Sequence, residues 1–451
     1  MSLDCINVLQ VYDPNPALNN LSFTLGLPSK QALTWLAGFH VGLPTFLNNR
    51  PRQADAMQMQ SPDSGSFDVA VMGGGILGSS VAYHLLLQSP GLSVAVIEPD
   101  PTYEFASTPR ASGGCRVQFT CPENIALSLA SLDFIREFPS VMATREHPAP
   151  TDWVEGGYLF IVPPGQTAQL ERNVARQRAM GCVVDLLTPM ELKRRFPSMN
   201  VDDLGAGALT PHDGWCDPSS LLWGFRRKAV ELGARYIADR VEAAECDRAK
   251  ARAVLLAGGT RIAAHAFVNA CGAWSGIVAQ KFGMALPITP MRRFEHYFTP
   301  ATPMESLPYV KDVARLAFRS EGRGFSGGLV DGDERRGFTF DVDHDYFERV
   351  VWPAIAHRFP PLAAARCQRT WAGLYEQNEL DGNAIIGPWT GGLANLYTVA
   401  GFSGHGMMHA PAAGRAIAEL ILQGRYQTLD LERLGYQRVV DNRPYAEEGI
   451  L

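Results

Sequence analysis

Phe67-Asp68-Val69-Ala70-Val71-Met72-Gly73-Gly74-Gly75-Ile76-Leu77-Gly78 is the stretch on which the reading turns. A short apolar run stops on glycines, and Ser79-Ser80-Val81-Ala82-Tyr83-His84-Leu85-Leu86 continues with helical spacing. Strand, tight turn and helix are expected in that order. A second apolar run, Ser93-Val94-Ala95-Val96-Ile97, ends on Glu98, twenty residues past Gly78. In a βαβ unit of this kind Gly73 makes the turn, Gly75 lets a pyrophosphate approach the backbone, and Gly78 lets the helix pack close to the strand. The phosphates sit at the positive helix end, at Ile76 and Leu77, and Glu98 accepts hydrogen bonds from an adenosine ribose. Three glycines alone more often make a plain turn. Here strand, helix, second strand and terminal acid fall in register, so dinucleotide binding is expected. Glu98 also places negative charge where a 2′-phosphate would sit, which favours NAD or FAD over NADP.

Far downstream, Asn395-Leu396-Tyr397-Thr398-Val399-Ala400 reads as a strand running into Gly401-Phe402-Ser403-Gly404-His405-Gly406. An Ala-rich helix follows, roughly 407 to 423, with Gly424 as its stop. The bland alternative for this turn is a surface loop. The sharper reading is a cofactor longer than NAD that spans both turns, with amides at the second helix start meeting a flavin pyrimidine and the negative charge that reduction places there. Between the turns, 151 to 163 reads as strand with a turn at Gly156 and Gly157, and 166 to 181 as helix. Asp217 and Pro218 start another helix that Gly233 ends. A strand over Ala266 to Ala270 breaks at Cys271-Gly272-Ala273-Trp274-Ser275, either to admit a ligand or as a tight turn.

Composition sets outer limits. The 451 residues are 46% hydrophobic and 19% charged, the profile of a folded globular chain. With 40 basic against 46 acidic side chains, a net charge of -6 leaves no cationic excess for nucleic acid. Eight cysteines without a C-x-x-C pair read as ordinary reduced thiols, not as a zinc site or a disulfide scaffold. Residues 1 to 66 form a charge-poor N-terminal extension, with a linker-like Ser-Pro-Asp-Ser-Gly-Ser stretch at its end. Its uncharged run from Gln31 to Asn49 is interrupted by His40, Pro44 and Asn48, so no transmembrane segment is expected. No targeting signal is legible; a cytoplasmic compartment is favoured.

With both turns in hand, residues 67 to 440 resemble the FAD-dependent amine and amino-acid oxidoreductases of the D-amino-acid-oxidase superfamily, the group of sarcosine and glycine oxidases. The likeness is carried by Gly214-Trp215 with Asp217-Pro218, by Val342-Asp343-His344-Asp345, and by Val351-Trp352-Pro353. It is carried further by Trp371-Ala372-Gly373 with Gly387-Pro388, and by Gly401 through Gly406 followed by Ala410-Pro411. The resemblance implies cofactor contacts at Gly73, Gly75, Ile76, Leu77, Gly78 and Glu98. It also implies them at the small-residue strand end Ala270, Gly272 and Trp274, and at Gly373. Ser107, Thr108, Ser112, Gly113, Gly114 and Cys115 resemble the segment that crosses pyrophosphate and flavin. A mitochondrial compartment is also compatible with the resemblance.

Departures from the better-known oxidases bear on function. The cysteine that tethers flavin in one type is matched by Gly373, and the histidine of another by Arg110, so the expected FAD is non-covalent. An arginine and a lysine that hold an amino-acid carboxylate are matched by Phe119 and Met408, and no oxygen-activating lysine is evident around 324 to 330. Without two cations for a carboxylate, tight binding of sarcosine or glycine is not expected, and reaction with oxygen is expected to be slow. Candidate site residues are Arg116 beside the flavin, His405 in the second turn and Tyr375 on the approach to it, with Arg292, Arg293 and His296 as further candidates. The run Asp341, Asp343, His344, Asp345 reads as a helix start, so no metal is expected.

The expected fold is α/β, a doubly wound Rossmann-like FAD domain of the glutathione-reductase type interleaved with a mixed-sheet α+β substrate domain. The FAD domain is assigned to 67–150, 212–288 and 369–440, and the substrate domain to 151–211 and 289–368, with a tail at 441–451. The expected activity is oxidation of a C–N bond in a small amine or amino-acid derivative, with an electron acceptor the sequence does not name. The alternative is an FAD-binding assembly or interaction factor, of the respiratory complex I assembly type, with little or no turnover.

Overall fold

The computed structural model describes residues 65–312, 315–329 and 335–449. The Gln31 to Asn49 run and nearly all of the N-terminal extension lie outside the described residues. The elements that build the site are, in chain order, β1 (Gly65–Met72), α1 (Ile76–Gln88), β2 (Val94–Ile97), α2 (Pro122–Val141), β3 (Tyr158–Val162) and β4 (Arg261–Asn269). They continue with β5 (Ile288–Thr299), β6 (Tyr309–Asp312), β7 (Leu316–Glu321), β8 (Gly324–Leu329), β9 (Arg366–Asn378), β10 (Leu396–Ala400) and α3 (Gly406–Gln423). β1 starts two residues earlier than its apolar run, because Gly65 and Ser66 pair with Ile262 and Ala263 of β4. Ladder hydrogen bonds there override a linker-like composition.

The first sheet runs Ile385–Pro388, β10, β4, β1, β2, Arg235–Ile237. Every pairing from β10 to Arg235–Ile237 is parallel. Such strands are covered on both faces, which is why their sequences are apolar nearly throughout. Val69, Val71, Val94, Val96 and Val268 face a layer that includes Val81 and Leu85 of α1 and Ile417 of α3. Ala70, Met72, Ala95, Ile97 and Phe267 face the other way, with Val254 and Leu256 of an antiparallel hairpin. The helix over Pro218–Glu231 starts as its sequence predicts, with the Asp217 carboxylate accepting from Ser219 N at 3.0 Å.

The second sheet runs β9, β5, β8, β7, β6, β3, Ala206–Thr210, Asp185–Leu187, antiparallel throughout except for β6 beside β3. One face buries Leu159, Ile161, Phe298, Val310 and Phe318 against Phe347, Ile355 and Phe359. By the two-residue period of a strand, Tyr158, Phe160, Tyr309 and Lys311 point to the opposite face, and Tyr158, Phe160 and Tyr309 join the core that includes α1 and α3. Both sheets thus belong to one α/β fold, a doubly wound parallel layer and a mixed layer. β9 is continuous from residue 366 to 378 within the second sheet. No helix among the described residues is long and apolar enough to cross a membrane.

α1 and α3 pack directly on each other. Ser80 Oγ donates to Ala410 O at 2.8 Å. Each of these residues lies four past its helix start, and the strands that lead into the helices, β1 and β10, both run parallel to β4, so the two helices run the same way and begin at the same end. A Cβ placed on Gly414 would lie 2.2 Å from Ser80 Oγ and 2.8 Å from Ser80 backbone carbon. G414A should therefore force the helices apart and lower stability by about 1–3 kcal/mol in urea unfolding; an unchanged midpoint would show that this contact is dispensable.

Candidate functional site

The β1–α1 turn is wedged between its neighbours. Gly73 has φ +92°, and a Cβ on it would stand 2.4 Å from Ala270 O at the end of β4. A Cβ on Gly78 would stand 1.9 Å from Gly73 O, while one on Gly75 would meet nothing within 4 Å. Gly73 and Gly78 let chain elements touch, and Gly75 borders open space. Glu98 braces the turn, its two oxygens accepting from Gly74 N at 2.8 Å and Asp100 N at 3.0 Å. Burial pushes its carboxyl up to about 7 against the pull of those two amides.

The β10–α3 turn is built on the same plan. Gly404 has φ +106°, and a Cβ there would press 2.5 Å from the Tyr375 ring. Glu376 accepts from Gly401 N at 2.9 Å, and Ser403 Oγ accepts from Asn378 N at 3.0 Å. Burial raises Glu376 to about 7, opposed by hydrogen bonds from the Gly401 and Phe402 amides. Neither α1 nor α3 carries a side-chain N-cap. Their first-turn amides, which an α-helix cannot satisfy internally, open where the two turns meet.

They open into one cavity of about 1100 Å³, larger than the ~300–1,000 Å³ usual for a small ligand. From the first turn and strand ends it is lined by Gly73, Gly75, Ile76, Leu77, Glu98, Ala270, Gly272 and Trp274. The crossing segment contributes Ser107, Thr108, Ser112, Gly113, Gly114 and Arg116; Gly373, Tyr375 and Ser403 through Gly406 close it. Gly78, Cys115, Gly401 and Phe402 stand behind this wall: Gly78 under Gly73, Cys115 with its Sγ 3.9 Å from that of Cys216, Gly401 against Ile288, and Phe402 in the core. The crossing segment is pinned to the second sheet. Ser107 Oγ donates to Leu374 O at 2.6 Å, Arg110 Nη1 to Ala372 O at 2.7 Å, and Arg319 Nε to Ser112 O at 2.7 Å.

At one end the second sheet supplies an aromatic and cationic lobe. Tyr158 and Tyr309 stack with centroids 4.4 Å apart, and Tyr309 OH meets Ser112 Oγ at 2.9 Å. Arg116 is buried, donates to Gln118 O, and lies 4.0 Å from the Phe119 ring and 5.1 Å from that of Phe160. It makes no ion pair with a described residue; Glu447 and Asp213 act on it only at longer range. Arg293 lines the cavity over the Tyr375 ring at 5.0 Å. Arg292 instead donates to Asp341 O, and His296 is buried against Tyr346, so neither reaches the cavity. Asp343 accepts from Asp345 N at 3.1 Å and pairs with Arg349 at 2.7 Å, closing a turn before the helical segment at Phe347.

His405 borders this lobe with a buried Nε2 that has no hydrogen-bond partner among the described residues. Burial, then His409, Arg116 and Lys311, hold it well below the ordinary histidine range, so it is neutral. His409 behind it hydrogen-bonds Ser128 Oγ at 2.9 Å and is lowered to about 3 by burial and Arg116.

Several lining residues escaped the sequence reading: Tyr158, Phe294, Tyr309, Lys311 and, from the tail, Ala446 and Glu447. The expected shortage of cations is met differently from the resemblance, because Lys311 and Arg293 enter from strands of the second sheet. The tail is drawn back onto the start of α2. Glu447 accepts from Thr120 N and Oγ1 and from Asn124 Nδ2, and Tyr445 OH donates to Glu123 at 2.7 Å. The only sequence signal for Lys311 was its two-residue spacing from Tyr309.

The features fit FAD: two uncapped helix starts on one cavity, a glycine facing open space at the first, an acid at the end of β2, and an orphaned His405 Nε2 at the second. Residues 68–420 match the family model described as DAO, FAD dependent oxidoreductase. The chain belongs to this family. FAD-dependent oxidoreductase domain-containing protein 1 of Bos taurus is 34% identical over 424 residues, covering 85% of this chain and 87% of that protein. The mitochondrial sarcosine dehydrogenase of Mus musculus is 28% identical over 375 residues, 79% of this chain and 40% of that protein. Among solved structures, L-proline dehydrogenase from P. horikoshii superposes with a TM-score of 0.76 at 27% identity, covering 85% of this chain and 100% of that one. This DAO-family chain is thus an FAD-dependent oxidoreductase with amine and amino-acid oxidising relatives.

Glu376 gives the site a pH signature. Its folded value near 7 lies above the ordinary 4.5, so between these values the folded state holds a proton that the unfolded state has released. Stability from this group is therefore full below about pH 4.5 and falls as pH rises toward about 7. E376Q keeps the acceptor for Gly401 N and cannot titrate. Its urea midpoint relative to wild type should rise between about pH 5 and about pH 8; a constant difference would mean that Glu376 is ionised throughout.

Proposed function

We propose that this flavoprotein oxidises the C–N bond of an amine or amino-acid derivative, using FAD held without a covalent tether. The carrying observation is one continuous cavity that joins both glycine turns to the lobe holding Arg116, Tyr375 and His405. The relatives named for sarcosine and L-proline support an amino-acid-like substrate. In this reading the first sheet forms the FAD-binding domain and the second the substrate domain.

The chemistry FAD supplies when bound is two-electron acceptance at flavin N5 of the hydride on the carbon next to nitrogen, leaving an imine that hydrolyses. The protein's share is position and electrostatics. Gly75, Ile76 and Leu77 present amides to the pyrophosphate, and Glu98 takes the ribose hydroxyls. Ser112 to Gly114 lie along the dinucleotide, held there by Tyr309 and Arg319. The start of α3 and Arg116 place positive charge at the flavin end, where reduction adds negative charge. The same field disfavours an ammonium beside it, which keeps a bound amine neutral with its lone pair available. His405 Nε2, neutral and unpaired, is set to hydrogen-bond flavin or substrate. Gly373 and Arg110 occupy the positions where a tether would attach, and neither supplies a thiol or imidazole.

Anaerobic mixing of the yellow holoprotein with a panel of amines and amino acids, with an artificial acceptor in parallel, tests the reading. Bleaching by at least one member is expected, and acid precipitation should release all colour to the supernatant. If no compound reduces the flavin, the assembly-factor alternative takes its place. R116M should slow reduction or weaken FAD retention by about tenfold or more, as removing one preorganised charge does; unchanged reduction and retention would remove Arg116 from the site.

A further inference from the structure

Lys311 plays no part in the reading above, yet it stands in the cavity wall. The register of the second sheet aligns Phe160 of β3, Lys311 of β6, Ala317 of β7 and Gly328 of β8 in one row. On one side Lys311 Nζ lies 5.8 Å from the Phe160 ring. On the other side Ala317 and Gly328, both lining the cavity, are too short to cover it. Arg116 lies by the same Phe160 ring, 5.1 Å from its centroid. The two cationic heads therefore converge on one patch of the second sheet.

Lys311 makes no hydrogen bond or ion pair with any described residue. Burial first, then the repulsion of Arg116 and Arg293, hold its amine well below the ordinary lysine range, so an anion beside it is what would restore its charge. The acidic residues that line the cavity among the described residues are engaged elsewhere: Glu98 with Gly74 and Asp100 N, Glu295 with Ser326 Oγ at 2.7 Å, Glu376 with Gly401, Glu447 with Thr120 and Asn124, Asp100 with Thr102, Glu242 with Arg240, and Asp381 with Arg438. A desolvated cation without a counter-charge is costly to keep, and among the described residues no carboxylate pairs with Lys311. Phe119, packed on His405 and His409, and Met408 in the first turn of α3 add apolar surface to the cavity.

We propose that Lys311, together with Arg116, is the anchor for the substrate's carboxylate, holding it against the second sheet and laying the apolar part of an amino acid on the Phe119 and Met408 wall. Calling the ligand a substrate rests on the oxidation proposed above; the carboxylate site does not. An amine lacking an acid group then fits poorly, and among amino acids the carboxylate sets affinity.

The test titrates FAD-loaded protein with pyrrole-2-carboxylate and with its uncharged analogue pyrrole-2-carboxamide, neither of which can form an imine, and reads the perturbation of the flavin absorbance spectrum. The carboxylate should bind at least about tenfold tighter than the amide. K311M should lose about tenfold or more of the carboxylate affinity and leave that for the amide unchanged, whereas K311R retains most of it. K311Q serves as the second neutral variant should K311M fail to hold FAD. Ligand-free K311M should also melt at a higher temperature than wild type, since it replaces a desolvated amine that has no hydrogen-bond partner among the described residues with an apolar side chain. Equal affinity of wild type for both probes, or K311M and K311Q binding the carboxylate as wild type does, would overturn the anchor. Lys311-dependent binding beside a failed reduction screen leaves the anchor standing and overturns the oxidation; flavin reduction by amino acids with Lys311-independent binding does the reverse.

Discussion

The close contact of Gly414 with Ser80 fixes where everything else can be. It brings α1 and α3 together in parallel, so helices that follow two glycine turns more than 300 residues apart begin side by side. Each start leaves amides that its own helix cannot satisfy. Side by side they form one surface with a shared positive potential, and a ligand that satisfies both must be long and carry anionic or acceptor groups at two separated points. FAD has that shape and charge distribution, and a mononucleotide does not. The family membership of the chain and its helix packing therefore point the same way.

The cavity that results is governed by desolvation. Glu98 and Glu376, each receiving backbone amides, are still pushed up to about 7 by burial, and His409 is pushed down to about 3. Acids drawn toward neutrality and neutral imidazoles leave the cations of the lobe, Arg116 above all, to set the local potential. Such a field suits a flavin gaining electrons and a neutral amine losing a hydride.

The second sheet does more than cover the first. Its Tyr158 and Tyr309 pair, with Arg319, clamps the crossing segment at Ser112 to Gly114, while β9 holds that segment at Ser107 and Arg110. The tail, through Glu447, closes the start of α2 beside Arg116. The cavity walls that come from the two sheets are thereby cross-braced.

The sequence by itself determined the local pieces. Strand, glycine turn, helix and acid at 67 to 98, the second turn at 401 to 406 and the Asp217 cap were legible because short-range periodicity, positive φ and capping are properties of neighbouring residues. It also marked the lining at the two turns, since Gly73, Gly75 to Leu77 and Ser403 to Gly406 carry their geometry with them. Only the tertiary structure decided which residues face inward where no local rule applies. Arg293 rather than Arg292 enters the cavity because β5 pairs with β9 in one register and not the next. Cys115 is turned away toward Cys216. Lys311, an unremarkable lysine in a short strand, lines the cavity because β6 pairs with β3 on one side and β7 on the other, and sidedness in a sheet is set by partners distant in sequence.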